Sequence, residues 1–287
     1  MNRMASQALQ DSVLSSPALL SARLSVRYAD KAVLRDLRLE IKRGEVLGLI
    51  GQSGSGKSTL AMAILGLLDK QRSKTEGAID FEDSELLRLS ERQLRGLRGR
   101  AIALVLQSPL SALNPVLTIR TQLRETWRAH ASGSKADCAN AIRNSLQRVS
   151  LPGDEEFLRK YPAEMSVGQA QRVLIAMAIM HSPALLIADE ATSALDVITQ
   201  SEILTLFREL NRRTGMAILY ISHDLSSVAG ICDRIAILHQ GEIVECGNTP
   251  EIFSNPRHEY TQRLMAAIPR LLPGSRLQTK SEATAAR

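Results

Sequence analysis

The chain has 287 residues, 44% of them hydrophobic and 23% charged, a normal balance for a soluble protein with one large domain or a core with a smaller insert. Its 36 basic and 30 acidic residues leave a formal charge of +6, an excess better read as a solubilising surface than as the mark of an anionic partner. Cys138, Cys232 and Cys246 are too scattered for a disulfide framework or a CxxC metal site, and no apolar run reaches the roughly 18 residues of a spanning helix.

The N-terminus, MNRMASQALQDSVLSS, lacks an apolar run long enough for a signal peptide, and residues 1–18 are expected to form a flexible tail. Ala22–Asp30 and Val33–Ile41 alternate as strands joined by a short turn. VLGLI (Val46–Ile50) fits a buried parallel strand, and Thr59–Leu68 is a good helix former. Residues 78–82 and 101–106 are further strand candidates. From about Thr118 to Arg159 two helical stretches follow one another with no strand between, which predicts a helical insert. Strands return at Ala184–Asp189, Ala217–Ser222 and Arg234–His239, followed by a short one starting at Ile243–Val244. A helix is expected in EYTQRLMAAI, and a disordered basic tail after Pro273. Alternating strands and helices predict an α/β fold with a mostly parallel sheet.

GQSGSGKS (Gly51–Ser58) matches the phosphate-loop pattern in full, between a strand and a helix as that pattern requires. Its glycines Gly51, Gly54 and Gly56, with Gln52, Ser53 and Ser55, let successive N–H groups face an anion. The helix start adds its positive end. Lys57 is expected to reach the β- and γ-phosphates and Ser58 to bind Mg²⁺. ALLIADE ends a buried strand on two carboxylates that point in different directions, Asp189 toward the metal and Glu190 beyond the γ-phosphate. His223 and Gln107 also sit at strand ends, His223 placed to touch phosphate or water and Gln107 metal or water.

In this order these residues resemble the ATP-binding subunit of an ABC transporter. The resemblance runs over about residues 20–268. It comprises the phosphate loop through Thr59, the Q-loop residue Gln107, the signature-like MSVGQAQRV, ALLIADE, the D-loop SALD and the switch histidine of ISHD. It implies a P-loop NTPase core of ABC type, an N-terminal antiparallel subdomain and a helical insert at about 108–165, the ATPase domain spanning 19–253. SPLSALNPVLTI and NPRHEYTQRLM resemble the oligopeptide, dipeptide and nickel importer group, which implies a C-terminal extension over 254–287. By the same resemblance, Tyr28 stacks on adenine, and Ser166, Gly168, Gln169 and Asp196 serve a nucleotide held by the opposite subunit. ATP and Mg²⁺ are the implied cofactors. The implied partners are a second ATPase subunit, identical or paralogous, permease subunits whose coupling helix the insert grips and, indirectly, an extracytoplasmic solute-binding protein. No nucleic acid is implied. The implied location is the cytoplasmic face of the inner membrane.

Ser108, in place of the usual Asp, and Glu259, where Pro is common, depart from the importer-group pattern, and Val167 and Ala191 from that of the wider family. Val167 stands where Gly is usual, at a helical position where φ is negative and valine is allowed. Ala191 replaces a proline that takes no part in chemistry. The alternatives are a soluble ABC-type ATPase not tied to transport and a weakly or non-hydrolysing interaction subunit. Retention of Lys57, Asp189, Glu190 and His223 speaks for hydrolysis.

Overall fold

The computed structural model describes residues 18–267. The expected tails, 1–18 and beyond Pro273, lie outside the described residues except at Ala18, which already belongs to a strand. β1 (Ala18–Tyr28) and β2 (Lys31–Lys42) form an antiparallel hairpin closed at Ala29 and Asp30. Alternation decides their faces, since Ala22, Leu24 and Val26 are buried while Ser21, Arg23 and Arg27 are exposed. β4 (Ser73–Phe81) pairs with the other side of β1, and β5 (Ser84–Glu85) completes a four-stranded sheet of order β2-β1-β4-β5.

The second sheet holds β3 (Val46–Ile50), β6 (Ile102–Val105), β7 (Leu185–Asp189), β8 (Ala217–Ser222), β9 (Arg234–His239) and β10 (Glu242–Asn248). Its order is β10-β9-β3-β8-β7-β6, and every pairing is parallel except β9 with β10. A parallel sheet is covered on both faces, and β3, β7 and β8 are buried at every residue. Leu47, Leu49, Leu185, Ile187, Leu219 and Ile221 join the core shared with the antiparallel sheet and α1 (Lys57–Ile64). Their neighbours Val46, Ile50, Leu186, Ala188, Ile218 and Tyr220 join the opposite core. That core includes α7 (Val167–Ile179), α8 (Val197–Thr214) and α9 (Leu225–Ile231).

The helical insert belongs to that second core. In α4 (Ile119–His130), Ile119, Leu123 and Trp127 recur at helical spacing and are buried. Ile142 and Leu146 of α5 (Lys135–Arg148) and Phe157 and Leu158 of α6 (Glu155–Arg159) join them. Thr118, Ser134 and Asp154 cap the three helices through their side chains. The SALNP segment before α4 is held by buried Gln122, which accepts from Asn114 N at 2.9 Å and donates to Asn114 O at 3.1 Å.

Several elements differ from expectation. α1 ends at Ile64 rather than Leu68, and the turn that follows places Gly66 at φ 62°. β1 begins at Ala18, and β10, expected as a short strand starting at Ile243–Val244, runs from Glu242 to Asn248. α2 (Glu91–Leu97) and α3 (Pro109–Ala112) were not expected, and both are short. α10 (Thr249–Ser254) and α11 (Glu259–Ala266) close the described chain, with Tyr260 stacked on His239 at 3.8 Å between ring centroids.

Candidate functional site

The site follows from strand order. β3, β8, β7 and β6 lie side by side and parallel, so the loops leaving their carboxyl ends emerge along one edge. Those loops carry the Gly51–Gly56 loop, His223, Asp189 with Glu190, and Gln107, in that spatial order.

The loop after β3 is held by its own lysine. Lys57 is buried, and its Nζ donates to Gly51 O at 2.7 Å and Gln52 O at 3.1 Å. Gly56 has φ 111°, and a Cβ there would stand 2.6 Å from the Leu34 side chain, so the position needs glycine twice over. Gly56 is also the N-cap of α1, and no side chain caps that helix, in contrast to α2 and α4 to α9. The N–H groups of the first turn, on Lys57, Ser58 and Thr59, therefore remain for another acceptor. Ser55 Oγ, inside the loop, is buried with no partner among the described residues.

Across from the loop, Glu190 Oε1 lies 4.0 Å from Lys57 Nζ and 3.3 Å from His223 Nδ1. Asp189 is buried, one of its carboxylate oxygens has no partner among the described residues, and its side chain hydrogen-bonds Ser58. Burial pushes the Asp189 carboxyl above the ordinary aspartate range, Ser58 and Lys57 drawing it down and Glu190 adding to the rise. Burial lowers the Lys57 ammonium, against the pull of Glu190 and Asp189. A buried carboxylate with a free oxygen beside a serine hydroxyl suits a small hard cation. The uncapped helix start and the loop around Lys57 suit the phosphates of a nucleotide. The residues present thus fit a magnesium–nucleotide pair.

Other predicted residues stand apart from this cluster. Gln107 is exposed just past β6, with no hydrogen-bond partner among the described residues. Tyr28 is half-buried at the β1–β2 turn, opposite Lys31 and Ser73. Ser166 caps α7, accepting from Gln169 N at 3.1 Å while Gln169 Oε1 accepts from Ser166 N at 3.2 Å. Val167 opens the helix 38% exposed and is absent from the residues with positive φ, as a first-turn position requires. Among the described residues, no hydrogen bond or ion pair joins Ser166, Gly168 or Gln169 to Lys57, Asp189 or Glu190. Asp196 caps α8 by accepting from Ile198 N and Thr199 N, and those bonds, Thr199 N–H foremost, hold its carboxyl below the ordinary range.

Sequence reasoning passed over Thr199. Its hydroxyl donates to Asp196 at 2.7 Å, and its methyl would stand 2.8 Å from a Cβ at Gly168. The Thr199 methyl thus occupies the space that a side chain at Gly168 would need. The aspartate three residues earlier was the available signal, a helix-cap spacing.

Residues 34–193 match the family described as "ABC transporter", and residues 244–287 match "Oligopeptide/dipeptide transporter, C-terminal region". The dipeptide transport ATP-binding protein DppD of Bacillus subtilis (strain 168) is 41% identical over 83% of this chain and 71% of its own length. The oligopeptide transport ATP-binding protein OppD of Escherichia coli (strain K12) is 40% identical over 88% of this chain and 74% of its own.

The chain belongs to the ABC transporter family.

Its fold agrees with that of the ATP-binding cassette MJ0796, solved as a dimer in a post-hydrolysis state bound to ADP and Pi. The TM-score is 0.69 at 26% identity, over 80% of this chain and 98% of that one. As an ABC ATPase the chain binds and hydrolyses ATP, and the family's ATP-binding subunits work in pairs and with permease subunits. Among the described residues no helix is long and apolar enough to cross a membrane.

Proposed function

We propose that this ABC ATPase energises the import of peptides or a related small solute, nickel included. It acts at the cytoplasmic face of the inner membrane, on permease subunits fed by an extracytoplasmic solute-binding protein. The convergence of Lys57, Asp189, Glu190 and His223 at one sheet edge carries the catalytic half of this reading. The C-terminal region and the relatives named for dipeptide and oligopeptide transport support the choice of solute.

Lys57 and the unpaired N–H groups opening α1 hold the β- and γ-phosphates, with Gly51, Gln52, Ser53, Gly54, Ser55, Gly56 and Thr59 shaping the cradle. Tyr28 stacks on adenine. Ser58 and Asp189 would hold Mg²⁺, joined by Gln107 from just past β6. The ion, when bound, supplies positive charge against the phosphoryl oxygens. Glu190 accepts the proton of the attacking water, and His223 fixes the orientation of that carboxylate from 3.3 Å. Ser166, Gly168, Gln169 and Asp196 complete the site of the opposite subunit, identical or paralogous, so that each nucleotide lies between two chains. The ATPase domain is 19–253 with its insert at about 108–165, and 254–287 is the importer extension.

Glu190→Gln leaves the residues of the phosphate cradle in place and removes the carboxylate that serves as the base. Light scattering of this variant is expected to show a monomer that becomes a dimer with ATP and Mg²⁺, together with loss of hydrolysis. Hydrolysis at the wild-type rate would remove Glu190 from its role. A monomer that binds ATP would mean either a paralogous partner or a degenerate signature, and a repeat with the neighbouring ATPase decides between them.

A further inference from the structure

Two residues past Glu190, the Thr192 hydroxyl lies 2.9 Å from the phenol oxygen of Tyr220, and both groups are buried. The phenol donates to Ser227 Oγ at 3.3 Å, and Ser227 Oγ donates to the Asp224 carbonyl at 2.8 Å. With those hydrogens committed, Thr192 is the donor to Tyr220, and Ser222, 3.4 Å from Ser227 Oγ, is a second donor to Ser227. Ser222 Oγ accepts the Asp224 N–H at 3.0 Å. The network begins on the loop that carries Glu190 and ends on the two residues flanking His223.

Tyr220 is well suited to tie these loops. Its ring is fixed in the core, 6.4 Å between centroids from Phe207, so the hydroxyl sits at a set point. Glu190 needs such a tie, because it holds φ 50°, a conformation uncommon outside glycine. Its backbone is anchored at both ends, Glu190 N–H to Ile221 O at 3.0 Å and Ser193 Oγ to Glu190 O at 3.0 Å. Neither anchor reaches the segment on the far side of His223. The Thr192–Tyr220–Ser227 chain does.

We propose that Tyr220 is a positioning residue for ATP hydrolysis, its phenol holding the Glu190 loop in register with His223. This rests on the roles given above to Glu190 and His223. The network reaches the loop of the base and the residues flanking its orienter, but not the nucleotide cradle. Among the described residues no hydrogen bond links it to Lys57, Ser58 or the Gly51–Gly56 loop. Its loss is therefore expected in turnover, with binding retained.

The test is steady-state hydrolysis by the full chain, with melting temperatures measured alongside. Tyr220→Phe is expected to lower kcat about 10-fold, with KM for ATP moving less than about two-fold. Thr192→Val should match it, Thr192→Ser should retain wild-type kcat, and the double variant Tyr220→Phe with Thr192→Val should be no slower than either alone. An unchanged kcat in Tyr220→Phe, a proportional rise in KM, or additive losses in the double variant would overturn the proposal. Should Tyr220→Phe fail to fold, the Thr192 pair carries the same test. Glu190→Gln is assayed in parallel to separate the two readings. A dead Glu190→Gln beside a wild-type Tyr220→Phe sinks the positioning role alone, whereas an active Glu190→Gln sinks the catalytic assignment beneath it.

Discussion

Asp189 shows how a site residue can work against its own fold. Its carboxylate is buried, has an unpartnered oxygen and carries a raised pKa, so the charge is held at a cost until a cation arrives. Asp189→Asn is expected to raise the melting temperature of the nucleotide-free protein by a few degrees. It should also shrink the further rise produced by ATP with Mg²⁺, since that rise measures binding to the folded state. Thermal shifts with and without the ligands check both halves. Gly168 makes the opposite case, a glycine required by a neighbour. Gly168→Ala would place a methyl 2.8 Å from Thr199 Cγ2 and push apart the starts of α7 and α8. It is expected to depress ATPase activity, and adding Thr199→Ser should restore it, because serine keeps the hydroxyl bonded to Asp196 and removes the methyl. Failure of the second change to rescue would mean the first acts elsewhere than at Thr199.

At the scale of elements, buried Glu45 staples the end of β2 to the start of β9. It accepts from Lys42 N at 2.7 Å and pairs with Arg234 at 2.9 Å. Glu45→Ala would leave the partly buried Arg234 guanidinium without its carboxylate and is expected to cost about 2 to 3 kcal/mol of stability. Glu45→Gln, which retains an acceptor, should cost less, and urea unfolding of the two variants orders them. Elements of this kind were legible where a pattern ran long enough. Val46–Ile50, Ala217–Ser222 and Arg234–His239 stand where periodicity put them, because buried parallel strands read as apolar runs between turns. α2 and α3 were missed because one or two helical turns give periodicity little to repeat. β10 was read short because its partly exposed residues alternate weakly, and its length is set by pairing with β9.

At the scale of the molecule, the two halves of the proposed site are not joined within one chain among the described residues. Lys57, Asp189, Glu190 and His223 form one group, and the capped start of α7 another, with no hydrogen bond or ion pair between them among the described residues. A head-to-tail pair would bring the halves together, two sites sharing two chains. Mixing Lys57→Ala chains with Ser166→Ala chains, each inactive alone, is therefore expected to regain ATPase activity. In the mixed pair one site receives both intact halves. A mixture as inactive as its components would mean that the chain pairs with a different subunit or that each chain acts alone.

The sequence by itself determined the chemistry that is local. The phosphate loop, the paired carboxylates after an apolar strand and the serine opening α7 depend on residues a few positions apart. Their meaning survives without knowing where the chain goes next. Tertiary structure alone decided what those residues meet. Strand order β3-β8-β7 brings Lys57, His223 and Glu190 together from positions far apart in the chain. The same packing puts Thr192 against Tyr220 and Thr199 against Gly168. These contacts close long loops, so their existence depends on the packing of the whole core rather than on any pattern along the chain.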